Sequence, residues 1–350
     1  IKMAMIDQTT HFVNDIKNLQ EIITMPKTEA EGFISFAHIP IYREGEESLG
    51  VLSVYSKSII GLFTEEFINL LTSLTGQLAQ AARLASEMQA KERERREKEQ
   101  ALLANARVKR DMEIAEQIQL SLLPDKPPVL FGVELAGRCY PAAHVGGDYY
   151  DYFKRDDHTV DLLIADVSGH SVGAALIMAE VRTLLRAQSS RAVSPSSILG
   201  ALNSQLYDDL TRAELFITMF YARYSAATGR LSYANAGHNK PLIHRQGQQS
   251  CIELDADGLI LGIKPSMVFE ECSITLQAGD TLLFYTDGIP EATDQAGELM
   301  GTGQVCQHLA QQSTLTVDEI ADSFYELVKE FSQSTTLQDD VSMVVMKIVS

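Results

Sequence analysis

Four acidic segments lie far apart in the chain, each at the end of an apolar run: Gly146-Gly147-Asp148, Ala165-Asp166-Val167-Ser168-Gly169-His170, Tyr285-Thr286-Asp287-Gly288 and Asp339-Asp340-Val341-Ser342. Hard divalent cations take oxygen ligands, and a bridged pair of such ions needs several carboxylates converging from different strands. The run Leu162-Leu163-Ile164-Ala165 delivers Asp166, and Leu282-Leu283-Phe284-Tyr285-Thr286 delivers Asp287, so in both places an ionisable group ends a segment built for burial. An ionised carboxylate against a core is costly unless a cation or hydrogen bonds compensate. Gly169 and Gly288 follow the two acids and leave room for close approach of backbone or ligand. A single Asp at a strand end reads equally well as a turn cap. Recurrence of the same strand-then-acid pattern favours one shared site.

The elements that must position these acids begin near Val129, where the texture changes to short strands with turn residues. Strands are expected over 133–140, 160–167, 216–225, 230–236, 241–245, 268–276, 281–286 and 341–348, with helices after His170, from 194 to 210 and around 317–331. Ser194-Pro195 and Thr316 are helix starts. The turns Ala227-Thr228-Gly229 and Gln277-Ala278-Gly279-Asp280 predict antiparallel hairpins. Antiparallel sheets packed together and flanked by helices make an α+β domain.

Upstream, residues 1–76 read as a small α/β region. Phe12, Ile16, Leu19 and Ile23 have helical spacing, and strand-like runs follow at 32–42 and 49–55, separated by the polar turn 43–48. Thr64-Glu65-Glu66 has the form of a capped helix start. Leu71, Leu74, Leu78, Ala81, Ala85 and Met88 continue it as a heptad seam, which asks for a second helix and predicts a homodimer. Residues 91–99 are wholly charged with both signs interleaved, and Pro124, Pro127 and Pro128 end the element.

The chain has 47 acidic against 29 basic residues in 350, a formal charge of −18, which argues against nucleic acid or an anionic membrane as partner. No apolar stretch is long enough to span a bilayer. The four cysteines, Cys139, Cys251, Cys272 and Cys306, are widely spaced without a C-x-x-C pair, and read as reduced thiols in a cytoplasmic protein.

Gly146-Gly147-Asp148-Tyr149-Tyr150-Asp151, Asp166-Val167-Ser168-Gly169-His170, Asn235-Ala236-Gly237-His238-Asn239, Tyr285-Thr286-Asp287-Gly288 and Asp339-Asp340-Val341-Ser342 occur in an order that resembles the SpoIIE/RsbU-type branch of the PPM metal-dependent serine/threonine phosphatases. The resemblance covers about residues 125–350. It implies an αββα sandwich with two Mn²⁺ or Mg²⁺ ions at one edge. Matched residue by residue, Asp166 would bridge both ions, the Val167 carbonyl would add an oxygen, and Asp287 with Asp339 or Asp340 would complete the set. Asp148 would stand beside them, and Asp148, Asp166 and Asp287 would carry catalysis. Asp339 is preferred over Asp340 as ligand. Ser171 and Lys240 stand where the family often has glycine and proline, and no arginine is placed to hold the phosphate.

Phe36-Ala37-His38-Ile39-Pro40-Ile41, Leu49-Gly50-Val51-Leu52-Ser53-Val54 and Phe63-Thr64-Glu65-Glu66 resemble the C-terminal half of a GAF sensor domain. The segment from Ile114 to Pro124 resembles the helix that precedes many of these phosphatase domains. The expected layout is therefore 1–76 partial GAF-like sensor, 77–124 helical coiled-coil linker and 125–350 phosphatase. Its implied substrate is a phosphorylated small regulatory protein, a STAS-type anti-sigma-factor antagonist. The alternative is a catalytically silent module of the same fold that binds partners; four acidic clusters argue against it.

Overall fold

The computed structural model describes residues 1–18, 31–42, 45, 47–169, 171–188, 194–248, 250–334 and 336–349. The chain divides into two compact units, Ile1–Ala106 and Arg107–Ser350.

In the first unit, a short helix α1 (Lys2–Asp7) precedes strands β1 (His11–Val13), β2 (Ser35–Ile41) and β3 (Gly50–Ser56), which form an antiparallel sheet in that order. Ala37, Ile39, Phe63 and Leu71 make its small core, with Leu52, Val54 and Phe67 packed against it. The helix expected through Phe12 and Ile16 does not form. Phe12 lies in β1 opposite Ala37, and Ile16 opens a single 3-10 turn, Ile16–Asn18. Ladder bonds to β2 satisfy this backbone, and so short a periodic run has too few helical bonds to compete. Leu19 and Ile23, like most of the turn at 43–48, lie outside the described residues.

Helix α2 (Glu65–Leu122) starts where the sequence placed it: the Thr64 hydroxyl accepts from the Phe67 amide at 3.3 Å, and Glu65 and Glu66 occupy the first turn. Within its charged stretch, Arg93 pairs with Glu97 (2.9 Å), Arg96 with Glu92 (2.9 Å) and Lys98 with Glu94 (2.6 Å), each one turn apart. Leu74, Leu78, Ala85 and Met88 of the seam are exposed.

The second unit holds two five-stranded antiparallel sheets. The strands are β4 (Val133–Tyr140), β5 (Tyr149–Lys154), β6 (Thr159–Val167), β7 (Ile217–Ser225), β8 (Arg230–Ala236), β9 (Leu242–His244), β10 (Cys251–Glu253), β11 (Cys272–Thr275), β12 (Thr281–Tyr285) and β13 (Val341–Ile348). One sheet runs β10-β9-β12-β13-β4 and the other β11-β8-β7-β6-β5. Alternation along β6 shows how the layers form. Val160, Leu162 and Ile164 enter the core between the sheets with Phe220 and Phe284, while Leu163, Ala165 and Val167 face helices α3 (Val172–Gln188) and α4 (Pro195–Ala213). Helices α5 (Gly301–Gln312) and α6 (Val317–Ser332) cover the other sheet through Val305, Leu309, Ile320 and Phe324. The result is an αββα sandwich. Ser194 caps α4, and a capping box between Thr316 and Glu319 starts α6, as the sequence indicated.

Two expectations are corrected here. The turn at 277–280 makes no hairpin: β11 pairs with β8 in one sheet and β12 with β9 and β13 in the other, so the chain changes layer. The buried Asp280 and the Leu276 amide, bonded to Gly229 O at 2.8 Å, fix that crossing. The cysteines are not all free thiols, because Cys251 and Cys306 are disulfide-bonded with Cα atoms 5.8 Å apart, while Cys139 and Cys272 remain free. A separation of 55 residues hides that neighbourhood from any spacing argument.

Candidate metal centre

β6 ends at Asp166 and Val167, β12 runs into Thr286 and Asp287, and β13 is entered through Asp339 and Asp340. β12 and β13 are antiparallel neighbours, so the end of one and the start of the other share an edge, and the Gly146-Gly147 loop touches both Asp340 and the Asp166-Val167 end of β6 there. The loop before β5 adds Gly146, Gly147 and Asp148.

Loop and acids are interlocked. The amides of Ala142 and Gly147 donate to the two carboxylate oxygens of Asp340, at 2.8 and 2.9 Å. The Val167 amide donates to Gly147 O at 3.2 Å. A Cβ on Gly146 would strike the Asp340 carboxylate, and one on Gly147 would strike the Val167 carbonyl and stand 3.1 Å from Asp166 Oδ1. Two glycines are therefore what lets backbone and carboxylate oxygens gather here. Thr286 fixes Asp148: its hydroxyl donates to Asp148 Oδ2 at 2.8 Å and accepts from the Ser342 amide at 3.0 Å.

The last turns of α2 hold the same loop from outside. The buried Gln119 donates through Nε2 to Gly146 O (2.6 Å) and accepts at Oε1 from the Gly146 amide (3.0 Å). Glu116 pairs with His144 at 3.1 Å, and Arg182 of α3 donates to the Leu122 carbonyl at 2.6 Å.

Burial raises the Asp148 carboxyl well above the usual range, with Asp166 and Asp340 pushing the same way against the hydrogen bonds of Ser342 and Thr286. Burial, then the charges of Asp287, Asp339 and Asp340, push Asp166 up to about 7. Burial, then Asp339 and Glu291, push Asp287 up to about 6. Asp340 is also raised, by burial first, although its backbone donors oppose the shift. Asp148, Asp166, Asp287 and Asp340 thus stand in a shared acidic field to which Asp339 and Glu291 contribute. Asp340 is buried with both oxygens occupied by amides, whereas Asp339 is exposed beside a hollow of about 150 Å³ that Gly288, Glu291 and Gln338 help to line.

Among the described residues, no three His, Cys, Asp or Glu groups close on a single point as a finished ligand shell. The donor set nevertheless fits a hard cation: it is all oxygen, mutually repelling and partly buried, and the glycines keep it open. His170 lies outside the described residues. His238 is buried, with its ring nitrogen Nδ1 2.7 Å from the Thr218 hydroxyl and its amide donating to Asn235 Oδ1 at 2.8 Å, so it packs the turn. Sequence reasoning missed Thr286 and Ser342 as the support of Asp148, although both sit inside quoted motifs. It also missed Gln119, whose signal, a polar residue within an apolar helix end, is too common to single out.

Residues 156–349 match the family described as stage II sporulation protein E (SpoIIE), and residues 3–82 match a GAF domain family. The chain is 30% identical over 243 residues to the phosphoserine phosphatase RsbU of Bacillus subtilis, covering 69% of this chain and 70% of that protein. It is 28% identical over 188 residues to the phosphoserine phosphatase RsbP of the same organism, covering 53% of this chain but only 46% of RsbP. Among solved structures, the RsbU and RsbW domains of a Mycobacterium tuberculosis protein align with 28% identity and a TM-score of 0.56, over 64% of this chain and 62% of that one. The SiaA PP2C domain of Pseudomonas aeruginosa aligns with a TM-score of 0.60 over 70% of this chain and 98% of that domain; at 21% identity it shows the fold alone. No described helix is long and apolar enough to cross a membrane. With its acids gathered at one edge of an αββα sandwich, the chain belongs to the SpoIIE family of metal-dependent PPM protein serine phosphatases and carries a GAF domain ahead of the catalytic region.

Proposed function

We propose that the acidic edge holds two Mn²⁺ or Mg²⁺ ions and hydrolyses phosphoserine or phosphothreonine on a small regulatory protein. One observation carries this reading: Asp148, Asp166, Asp287 and Asp340 are each raised by burial first and then by neighbouring acids, Asp339 and Glu291 among them, and among the described residues no Lys or Arg forms an ion pair with any of the four. Asp148, Asp166, Asp287, Asp339 and the Val167 carbonyl are the proposed ligands, and Asp148, Asp166 and Asp287 the proposed catalytic acids. Asp340 braces the loop, since its oxygens already accept from Ala142 and Gly147. When bound, the cations supply an activated water and offset charge at phosphorus. The chain's own residues hold the geometry: Thr286 orients Asp148, and Gly147 leaves the Val167 carbonyl uncovered. The likeness to RsbU supports a phosphoprotein substrate, for which a STAS-type antagonist is our choice. Purified protein is expected to release phosphate from a phosphoserine peptide only with Mn²⁺ or Mg²⁺. A folded sample inactive with both would instead identify a silent binding module.

The same reading makes 77–124 a dimerising linker that conveys the sensor's state, because its end clips the loop at Gly146 through Gln119. A chain starting at residue 60 should scatter light as a dimer, and one starting at 125 as a monomer that needs more Mn²⁺ for half-maximal activity. A monomeric longer chain refutes the coiled coil, and equal Mn²⁺ dependence refutes the clip.

A further inference from the structure

The Cys251–Cys306 bond joins two elements with little else in common. β10 is a three-residue edge strand paired only with β9 among the described strands, and Cys306 lies on α5, which follows the segment leading away from Asp287. Both cysteines are half-buried, packed at the margin of the core under α5. α5 is held to the sheet chiefly by Val305 and Leu309, one turn apart on a helix whose other side chains are mostly polar.

The segment between Asp287 and α5 is folded back on itself. The Glu291 amide donates to Asp287 O at 2.8 Å, the Met300 amide to Ala292 O at 2.9 Å and the Gly301 amide to Pro290 O at 2.8 Å. Its two ends are therefore the candidate metal-binding acid and the first residue of α5. A short hydrogen-bonded segment thus connects Asp287 to α5.

We propose that Cys251 and Cys306 form a reversible thiol–disulfide site that fastens the sheet edge to α5 and thereby sets how firmly Asp287 is held. Oxidation by hydrogen peroxide balances in two steps. One thiol gives its sulfur electron pair to the peroxide oxygen, forming a sulfenic acid and water. The second thiol's sulfur then displaces the sulfenic oxygen as water, leaving the disulfide; the peroxide has taken two electrons. A dithiol reverses the step by exchange and leaves as its own disulfide. Closing a loop of 55 residues restricts the unfolded chain, and opening it releases that restriction without removing α5 from its apolar seat.

The link to Asp287 rests on the metal-site reading, but the bond and its effect on stability do not, and the experiment separates them. The 350-residue chain purified without reductant, denatured and alkylated with iodoacetamide, should show two of its four cysteines blocked, with a mass-identified peptide joining 251 to 306. A phosphine reductant should free them, lower the melting temperature by about 5–10 °C and raise the Mn²⁺ concentration for half-saturation about 3-fold, with hydrogen peroxide restoring both. Cys251→Ser and Cys306→Ser should each match the reduced protein and ignore reductant. Four reactive cysteines before reduction, or a melting temperature that ignores reductant, would overturn the site. A reductant-sensitive melting temperature with unchanged Mn²⁺ saturation would overturn its link to Asp287, whether or not phosphate release is found.

Discussion

Two groups of acids, one wholly buried and one only partly so, sit on or beside β5 and β6 and meet opposite fates. Asp161, near the start of β6, is fully buried and completely paired: Arg155 Nη2 lies 2.5 Å from Oδ2, Arg223 Nε 2.6 Å from Oδ1, and the Tyr221 hydroxyl donates to Oδ2. Asp151, on β5, is held by the Tyr149 hydroxyl at 2.6 Å and by Arg186 at 3.2 Å. Asp166 stands five residues further along β6, about 16 Å away. Among the described residues no Lys or Arg pairs with it, and burial, then the charges of Asp287, Asp339 and Asp340, push it up to about 7. Where the protein supplies the cation, a buried carboxylate is part of the scaffold. Where acids face acids, the balancing charge has to come from solution.

The contrast is broken or sharpened most strongly by matched substitutions. Asp166→Asn should lower kcat by at least about 10²-fold, the scale of losing one electrostatic partner of a transition state. Its melting temperature should stay level or rise, since a repelled charge has gone. Asp161→Asn should do the reverse, costing about 3 kcal/mol and roughly 10 °C by leaving Arg155 and Arg223 underpaired, with kcat little changed. Steady-state kinetics and calorimetry on the two variants decide it. If both lose stability alike, the two clusters are the same kind of feature and the metal reading fails.

A smaller effect concerns pH. Asp166 and Asp287 have folded-state values raised to about 7 and about 6, above the unfolded carboxyl range, so between about pH 4 and 7 the folded metal-free protein binds more protons than the unfolded chain. Stability from these groups is therefore present at the acidic end and lost as pH rises through 7. Metal-free protein should melt at lower temperature at pH 7.5 than at pH 6, and Mn²⁺ should raise the melting temperature more at pH 7.5, where it competes with fewer protons. Scanning fluorimetry with and without chelator reads this. A larger Mn²⁺ effect at pH 6 would contradict the assignment of these acids.

Strong local patterns were legible. The ends of β4, β8 and β13, the start of α2 and the capped starts of α4 and α6 follow from alternation, acid placement and Ser or Thr caps. Weak patterns were not. β5 is aromatic and acidic without alternation, β10 is three residues long, and α5 opens on Gly-Thr-Gly-Gln with only Val305 and Leu309 buried. β1 overrode a helical spacing because a partner strand lay alongside. For the site, motif order named the acids. It did not show that Thr286 holds Asp148, or that Asp340 spends both oxygens on backbone amides while Asp339 stays exposed.

The sequence by itself determined which acids end apolar strands, and which residues could lie in the two sheets, because periodicity and burial are local demands written into each segment. Only the tertiary structure decided that those strand ends share one edge, that Gln119 reaches the Gly146 loop, and that Cys251 meets Cys306. Each of these depends on how strands from two sheets and the helices over them are stacked, and stacking follows from the joint burial of many side chains that no single stretch of chain contains.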